Sequence, residues 1–184
     1  SQFNETTLSS PPLHQVDKVA FGVFEEEDPA SASGGLDRVG KLHPARRQGR
    51  LQDIAKVQQG GIDALVPELP SRWLLPAHVG NAALVDLMGS MAHSVGARGQ
   101  FNQQTAMLGR PDSHVDLKRV QVPTLLVCGR QDPVTPLADH QAMAACVAGS
   151  RLEVIEDCGH LSTIERPVAV TQVLVDWLAS TQAA

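Results

Sequence analysis

The chain has 184 residues, of which 42% are hydrophobic and 19% are charged, and its 15 basic against 20 acidic residues give a formal charge of −5. A chain of this length buries about two thirds of its unfolded surface, so we predict one soluble globular domain that folds without disulfides or metals. The scattered basic residues and the 3% aromatic content argue against a nucleic-acid partner.

The three cysteines form no CxxC pair, and their odd number leaves at least one free thiol. The sequence shows neither a signal-peptide pattern nor a stretch of about 20 apolar residues. We therefore expect a cytoplasmic protein without a membrane partner. No cofactor is expected, because the histidines and cysteines lack metal-ligand spacing and the glycines lack a dinucleotide-binding frame.

Residues 1–45 show little periodicity and contain the loop-like sequences SSPP and PASASGG. They predict an irregular N-terminal arm, in which only Val19 to Phe24 has the composition of a short strand. Ser1 stands where a methionine would begin an open reading frame, which suggests a chain cut out of a longer one. An alternative is that this arm is not native to the fold that follows it.

The pattern becomes helical over residues 46–113. Apolar positions of a first helix recur at helical spacing up to Gly60, and a second helix is predicted over Ile62–Val66, broken by Pro67 and Pro70. Asn81 is a candidate N-cap of a long helix that reaches toward Val95. A further helix is predicted over 100–108, ahead of a turn-rich sequence.

After Val120 the pattern changes to that of a parallel sheet. The apolar run 122–129 predicts a buried strand, 136–147 a helix, 151–156 a second strand and 167–178 a last amphipathic helix. This order indicates a βαβ unit, in which both strands end at the same edge of the sheet. Residues 114–184 are therefore expected to form an α/β core segment.

Two polar side chains follow the predicted strands at that edge. Asp132 comes just after the first strand and His160 just after the second. Adjacent strands lie roughly 5 Å apart, so the two loops can touch. A carboxylate on the Nδ1 of an imidazole fixes the tautomer of the ring and stabilises the imidazolium, which is the role of the acid in a catalytic triad.

The surrounding motifs resemble those of the α/β-hydrolase family. The sequence PTLLVCGRQDPVTP is similar to the acid strand and loop of that family, and IEDCGHLSTIERP is similar to its histidine loop. The resemblance implies that Asp132 is the triad acid and His160 the general base. It also implies that residues 46–113 are a helical lid, whose apolar side chains at Trp73, Leu74, Met88 and Met107 are candidates to line a substrate pocket.

The nucleophile of the family is not found in the sequence. Neither G-x-S-x-G nor an HGG-type loop occurs, and the A-x-S-x-G match around Ser94 lies in a helical pattern only 38 positions before Asp132. Ser162 lies too near His160 to be its partner and is predicted to cap the turn that follows. Cys158 is predicted to be a buried filler rather than a nucleophile.

Two functions from different classes are compatible with these features. The first is a hydrolase of an ester, a lactone or a carbon–carbon bond next to a carbonyl, present as a partial α/β-hydrolase chain and expected to be inactive alone. The second is a non-catalytic module of the same fold that binds a small molecule or another protein. Self-association through an exposed sheet edge is an accompanying expectation.

Overall fold

The computed structural model describes residues 44–182. Residues 1–43, which hold most of the predicted irregular arm and the candidate strand Val19–Phe24, lie outside the described residues. Helices dominate the first part of the described chain, and a small parallel sheet with further helices follows. The elements are, in chain order, α1 (Pro44–Gly60), α2 (Leu69–Trp73), α3 (Ala82–Leu108), α4 (His114–Leu117), β1 (Leu125–Gly129), α5 (Leu137–Cys146), β2 (Arg151–Ile155), α6 (Ser162–Glu165) and α7 (Pro167–Gln182).

The element labelled α3 consists of two helices joined at a kink, which agrees with the two helices predicted for this stretch. Asn81 caps it as expected, since its Oδ1 accepts hydrogen bonds from the N–H groups of Ala83 and Leu84 at 3.1 and 3.4 Å. The kink lies at Gly96, whose φ of 66° falls in the left-handed region that favours glycine. Gly96 is thus the residue at which the two helices of α3 meet.

The helix predicted over Ile62–Val66 is replaced by two 3-10 turns, Ile62–Ala64 and Val66–Glu68. The prolines were expected to break this region, but Pro67 and Pro70 each lie in the first turn of a short helical element. A proline is tolerated there, because its missing N–H would have no helical partner. The prolines thus start short elements instead of ending one.

The sheet consists of β1 and β2, which pair in parallel from Leu125 opposite Arg151 to Gly129 opposite Ile155. Helix α5 connects the two strands, so the predicted βαβ unit is confirmed. The first strand begins three residues later than predicted. Pro123 explains part of this difference, because a proline has no N–H to donate to a strand ladder.

Two apolar clusters hold the described chain together. One centres on Leu69, Leu74 and Met88 of the helical part. Leu161 and Ile164, which follow His160, pack against this first cluster. The second cluster lies beneath the sheet and is formed by Ile155, Cys158 and Val170, with Val127, Val173 and Leu174 packed around them. The segment that carries His160 therefore joins the helical part to the sheet.

The environments of the three cysteines predict which thiol reacts. Cys128 and Cys158 are 2% and 0% exposed, and burial raises the pKa of each thiol to about 12, whereas Cys146 is half-buried. Since the thiolate is the reactive form, we expect iodoacetamide to alkylate only Cys146 in the native chain and all three cysteines in denaturant, as read by peptide mass spectrometry. Native-state alkylation of Cys158 as fast as that of Cys146 would contradict this assignment.

Candidate functional site

The structure brings Asp132 and His160 into direct contact at the carboxyl edge of the sheet. Asp132 follows the end of β1, and His160 follows the end of β2. The Nδ1 of His160 lies 3.0 Å from the Oδ2 of Asp132. The side chain of His160 is 10% exposed and that of Asp132 is 4% exposed, so the hydrogen bond is largely shielded from water. Both residues predicted from the sequence thus form one pair.

The loop after β1 surrounds the Asp132 carboxylate with donors. Its Oδ1 accepts hydrogen bonds from the N–H groups of Val134 and Thr135, both at 2.8 Å. Its Oδ2, which faces His160, also accepts the hydroxyl of Thr135 at 2.7 Å. Sequence reasoning missed Thr135. The signal was available, because an Asp followed three residues later by Thr is typical of a side chain that caps its own turn.

These contacts decide the protonation state of Asp132. Burial by itself would raise the pKa of the carboxyl group. The hydrogen bond and charge of His160, together with the donors of Thr135, outweigh burial and hold the pKa of Asp132 below its usual range. The carboxylate therefore stays ionised and accepts a hydrogen bond from the Nδ1–H group of His160, which leaves Nε2 as the nitrogen that can take up a proton.

The lowered pKa of Asp132 predicts a pH-dependent contribution to stability. A depressed carboxyl pKa stabilises the fold above the unfolded pKa of about 3.9, and this stabilisation is lost as the pH falls toward the folded value. In the variant Asp132→Asn, the side chain at this position has no carboxyl group that titrates. We expect the difference in unfolding free energy between the native chain and this variant, measured in urea, to shrink as the pH falls from about 5 to about 3. A difference independent of pH would contradict the low pKa.

Two glycines allow the strand ends and the histidine loop to approach closely. A Cβ atom added at Gly129 would overlap the carbonyl oxygen of Gly159 and lie 2.5 Å from that of Cys158. A Cβ atom at Gly159 would lie 2.5 Å from the N of Leu75 and 2.8 Å from the O of Trp73. The loop after β2 is therefore packed backbone to backbone between β1 and the helical part.

The helical part also contacts His160 directly. The N–H of His160 donates to the carbonyl oxygen of Trp73 at 2.8 Å. The two rings stand edge to face, with centroids 6.2 Å apart and an interplanar angle of 68°. The backbone and the ring of His160 are thus both fixed against the end of α2.

An apolar pocket with a volume of about 190 Å³ lies between residues 62–73 and α3, next to Leu161. Of the four residues predicted to line a pocket, Trp73 and Met88 do so. Leu74 is only 1% exposed and belongs to the first apolar cluster. Met107 does not line this pocket either, since it lies near the end of α3, beyond the pocket-lining Gln100 and Gln103.

The sequence candidates for a nucleophile are not placed for that role. Ser94 lies within α3, and its hydroxyl donates to the carbonyl oxygen of Ser90 at 2.9 Å. Ser162 was expected to cap the following turn, but Leu161 holds the cap position of α6 and no side chain caps it. Cys158 is fully buried. Across residues 44–182, the ring of His160 has hydrogen-bond contacts with Asp132 and Thr135 and with no serine hydroxyl.

Neither a metal-binding cluster nor a membrane-spanning helix is found among the described residues. Residues 44–182 contain no cluster of three or more histidine, cysteine or acidic side chains arranged to hold a metal ion. In the same range, no helix has the length and apolar character required to cross a bilayer.

Comparison with known proteins assigns the family. The sequence pattern of the alpha/beta hydrolase family matches residues 19–173, more than four fifths of the chain. The chain belongs to the alpha/beta hydrolase family. This finding confirms the resemblance seen in the acid and histidine motifs, and it agrees with the parallel sheet and helices of the described residues.

Two curated members of the alpha/beta hydrolase family illustrate the similarity. The chain is 33% identical over 97 residues to monoacylglycerol lipase ABHD6 of Bos taurus, covering 53% of this chain and 28% of the lipase. It is 28% identical over 115 residues to 3-oxoadipate enol-lactonase 2 of Acinetobacter baylyi, covering 61% of this chain and 42% of the lactonase. The chain thus spans less than half the length of these relatives.

Solved structures of alpha/beta hydrolases match the fold. A thermophilic esterase from Thermogutta terrifontis superposes with a TM-score of 0.71 at 28% identity, covering 78% of this chain and 53% of the esterase. A hydrolase from Pseudomonas aeruginosa superposes with a TM-score of 0.67 at 26% identity, covering 76% of this chain and 52% of that structure. The chain therefore spans about half of each structure.

Proposed function

We propose that this chain carries the acid and the general base of a serine hydrolase, with Asp132 as the acid and His160 as the base. The 3.0 Å contact between Asp132 Oδ2 and His160 Nδ1 is the observation that supports this proposal most strongly. Asp132 holds the proton on Nδ1 and stabilises the imidazolium. The Nε2 of His160 then accepts the proton of an attacking serine hydroxyl and passes it to the leaving group.

The proposed substrate is a compound with an ester or lactone bond. The relatives of the chain support this class, since they include a monoacylglycerol lipase, an enol-lactonase and an esterase. Cleavage of a carbon–carbon bond next to a carbonyl uses the same acid and base but has no counterpart among these relatives. Hydrolysis of an ester or lactone is therefore our first proposal, and carbon–carbon cleavage is the second reaction to assay.

The nucleophile and the oxyanion hole are proposed to come from sequence that precedes Ser1. The chain spans only 28% to 42% of the curated relatives named above, and Ser94 lies in a helix with its hydroxyl bonded to Ser90. Removing the nucleophile of a serine hydrolase costs about 10⁶-fold in rate. We therefore expect no measurable ester hydrolysis by this chain alone.

Residues 46–113 are proposed to form a helical lid that shapes the substrate site. The apolar pocket lies against α3, and both Trp73 and Leu161 contribute to its wall. Trp73 also contacts His160. An apolar group of the substrate bound in this pocket would thus have its reacting carbonyl on the side of His160.

Labelling with a fluorophosphonate tests the proposed division of the active site. The probe reacts with activated serines, and it is applied both to this chain and to the extended protein, meaning this chain preceded by its upstream coding sequence. We expect no labelling of the chain alone and labelling of the extended protein at a serine outside residues 1–184. Labelling of Ser94 in the chain alone, lost in Ser94→Ala, would contradict the proposal, as would an extended protein that is not labelled.

A non-catalytic binding module is the second candidate, and the pocket is the observation that favours it. The pocket walls are apolar and lie within the described residues, so ligand binding does not require a nucleophile. A fluorescent fatty-acid analogue distinguishes the two functions. Saturable binding by an extended protein that hydrolyses neither esters nor lactones would favour the module.

Self-association through the sheet edge is a separate proposal. Within the described residues, β1 and β2 pair only with each other, which leaves each strand with one edge unpaired. We expect a dimer in sedimentation equilibrium of this chain, lost when a proline replaces a residue at the unpaired edge. A monomer at all accessible concentrations would contradict it.

A further inference from the structure

Glu165 is a buried carboxylate that plays no part in the proton transfers described above. Its side chain is 0% exposed. Its Oε1 accepts a hydrogen bond from the N–H of Leu161 at 3.2 Å, and its Oε2 accepts one from the N–H of Leu75 at 2.8 Å. The Nδ1 of His78 lies 2.9 Å from the same Oε2. One side chain thus joins the residue after His160 to the segment that follows α2.

These contacts belong to a larger attachment of the histidine loop to the segment Trp73–His78, which we call the docking segment. The backbone N–H of His160 is bonded to Trp73 at 2.8 Å. Gly159 leaves no space for a Cβ atom against Leu75. The residues before and after His160 therefore both rest on the docking segment, and Glu165 supplies the bonds on the C-terminal side.

We propose that Glu165 is a positioning residue for His160: by binding the N–H groups of Leu161 and Leu75 it fixes the histidine loop on the docking segment and so fixes the direction of the imidazole Nε2. The proposal rests on the proposed function, in which Nε2 takes the proton of the nucleophile. The hydrogen bonds of the Glu165 carboxylate go to Leu75, His78 and Leu161, so its effect on His160 is transmitted through the backbone.

Glu165 affects the direction of Nε2 because the hydrogen bond to Asp132 does not by itself fix the orientation of the His160 ring. The hydrogen bond from Nδ1 to Asp132 fixes one end of the imidazole, but a shift of the backbone can rotate the ring about that bond and move Nε2. A displacement of about 1 Å at a reacting atom costs on the order of 10²-fold in rate. Without the carboxylate, the N–H groups of Leu75 and Leu161 lose their acceptor, which favours separation of the two segments.

The variants Glu165→Gln and Glu165→Ala test this role in the extended protein. Gln keeps the shape of the side chain but places an NH₂ group against one of the two N–H donors, and Ala removes both acceptors. Thr163→Ala is the matched control, because Thr163 lies on the exposed side of α6. We expect kcat for an ester to fall about 10- to 100-fold in Glu165→Gln, with KM changed less than about threefold and Thr163→Ala unchanged.

A spectroscopic signature separates positioning from stability. In this chain, the ¹H resonance of the Nδ1 proton of His160 reports its hydrogen bond to Asp132. We expect it to shift or broaden in Glu165→Gln at temperatures where circular dichroism shows the variant folded, and to be unchanged in Thr163→Ala. If Glu165→Ala does not fold, Glu165→Gln alone carries the test.

The outcomes distinguish this inference from the proposed function. Glu165→Gln with native kcat and an unshifted Nδ1 proton overturns the positioning role, even if the melting temperature is lower. If Asp132→Asn retains native activity in the same assay, the proposed function itself fails. Loss of activity in Asp132→Asn with none in Glu165→Gln removes only the inference about Glu165.

Discussion

Asp132→Asn in the extended protein is expected to lower kcat/KM for an ester by about 10³- to 10⁴-fold while the fold is retained. The loop after β1 presents three donors to this side chain, two N–H groups and the hydroxyl of Thr135. An asparagine satisfies the two N–H groups only with its carbonyl oxygen on their side, which turns its NH₂ group toward His160. The Nδ1 of His160 must then accept, so the proton moves to Nε2, where it blocks the uptake of a proton from the nucleophile.

The measurement is the steady-state hydrolysis of p-nitrophenyl acetate. Asp157→Asn is the matched control, because Asp157 lies in the loop after β2 that also carries His160, its side chain is 75% exposed, and its φ of 49° is one that asparagine also tolerates. We expect Asp157→Asn to retain native kcat/KM within about threefold. A loss smaller than about tenfold in Asp132→Asn would contradict the role of Asp132 as the triad acid.

Among the glycines of residues 44–182, Gly129 is the one whose substitution by Ala is expected to cause the largest loss of stability. The added Cβ would overlap the carbonyl oxygen of Gly159 and lie 2.5 Å from that of Cys158. These are backbone atoms of the histidine loop, so they cannot move aside as the end of a flexible side chain does. Separating β1 from this loop also disrupts the packing of Cys158, and we expect a cost of about 3 kcal/mol or more.

Thermal unfolding monitored by circular dichroism measures this effect. A loss of about 3 kcal/mol corresponds to a decrease in Tm of about 10 °C for a chain of this size. Gly80→Ala is the control, since nothing lies within 4 Å of a Cβ atom at Gly80. A Tm for Gly129→Ala within about 2 °C of the native value would show that the close approach of the two segments is not required for the fold.

The sequence predicted the βαβ unit well because local signals define each of its parts. The apolar run before Gly129 and the glycine-bounded second strand indicate buried strands, and their parallel pairing follows from the helix between them. The same logic placed Asp132 and His160 at one edge. Because parallel neighbouring strands end at the same edge of a sheet, the positions of Asp132 and His160 in the sequence were enough to predict their contact, which is 3.0 Å long in the structure.

The helical part was predicted less well because its boundaries depend on packing between distant residues. Two helices were predicted with a gap over residues 96–99, whereas the structure confines the non-helical backbone angles to Gly96. The prolines after Ile62 were expected to end a helix, but they start two short ones. A glycine or proline has several conformations compatible with its local sequence, and tertiary contacts select among them.

Among the residues that support the site, those held by local contacts could be predicted from the sequence, whereas those held by distant contacts could not. Thr135 acts within three residues of Asp132, so a local turn pattern is enough to find it. Glu165 binds Leu75 across 90 positions of the chain, and no local pattern indicates that contact. Leu74 resembled a pocket residue by composition, but the position of the docking segment buries it. Long-range packing therefore decides which of the apolar and acidic residues serve the site.

The tautomer of His160 in this chain is the measurement that tests the central claim most directly. Long-range ¹H–¹⁵N correlation spectra of the ring, recorded where the imidazole is neutral, show which nitrogen carries the proton. We predict that Nδ1 is protonated and donates to Asp132, that Nε2 is bare, and that Asp132→Asn reverses this assignment. A proton on Nε2 in the native chain would contradict the claim that Asp132 prepares His160 to act as a general base.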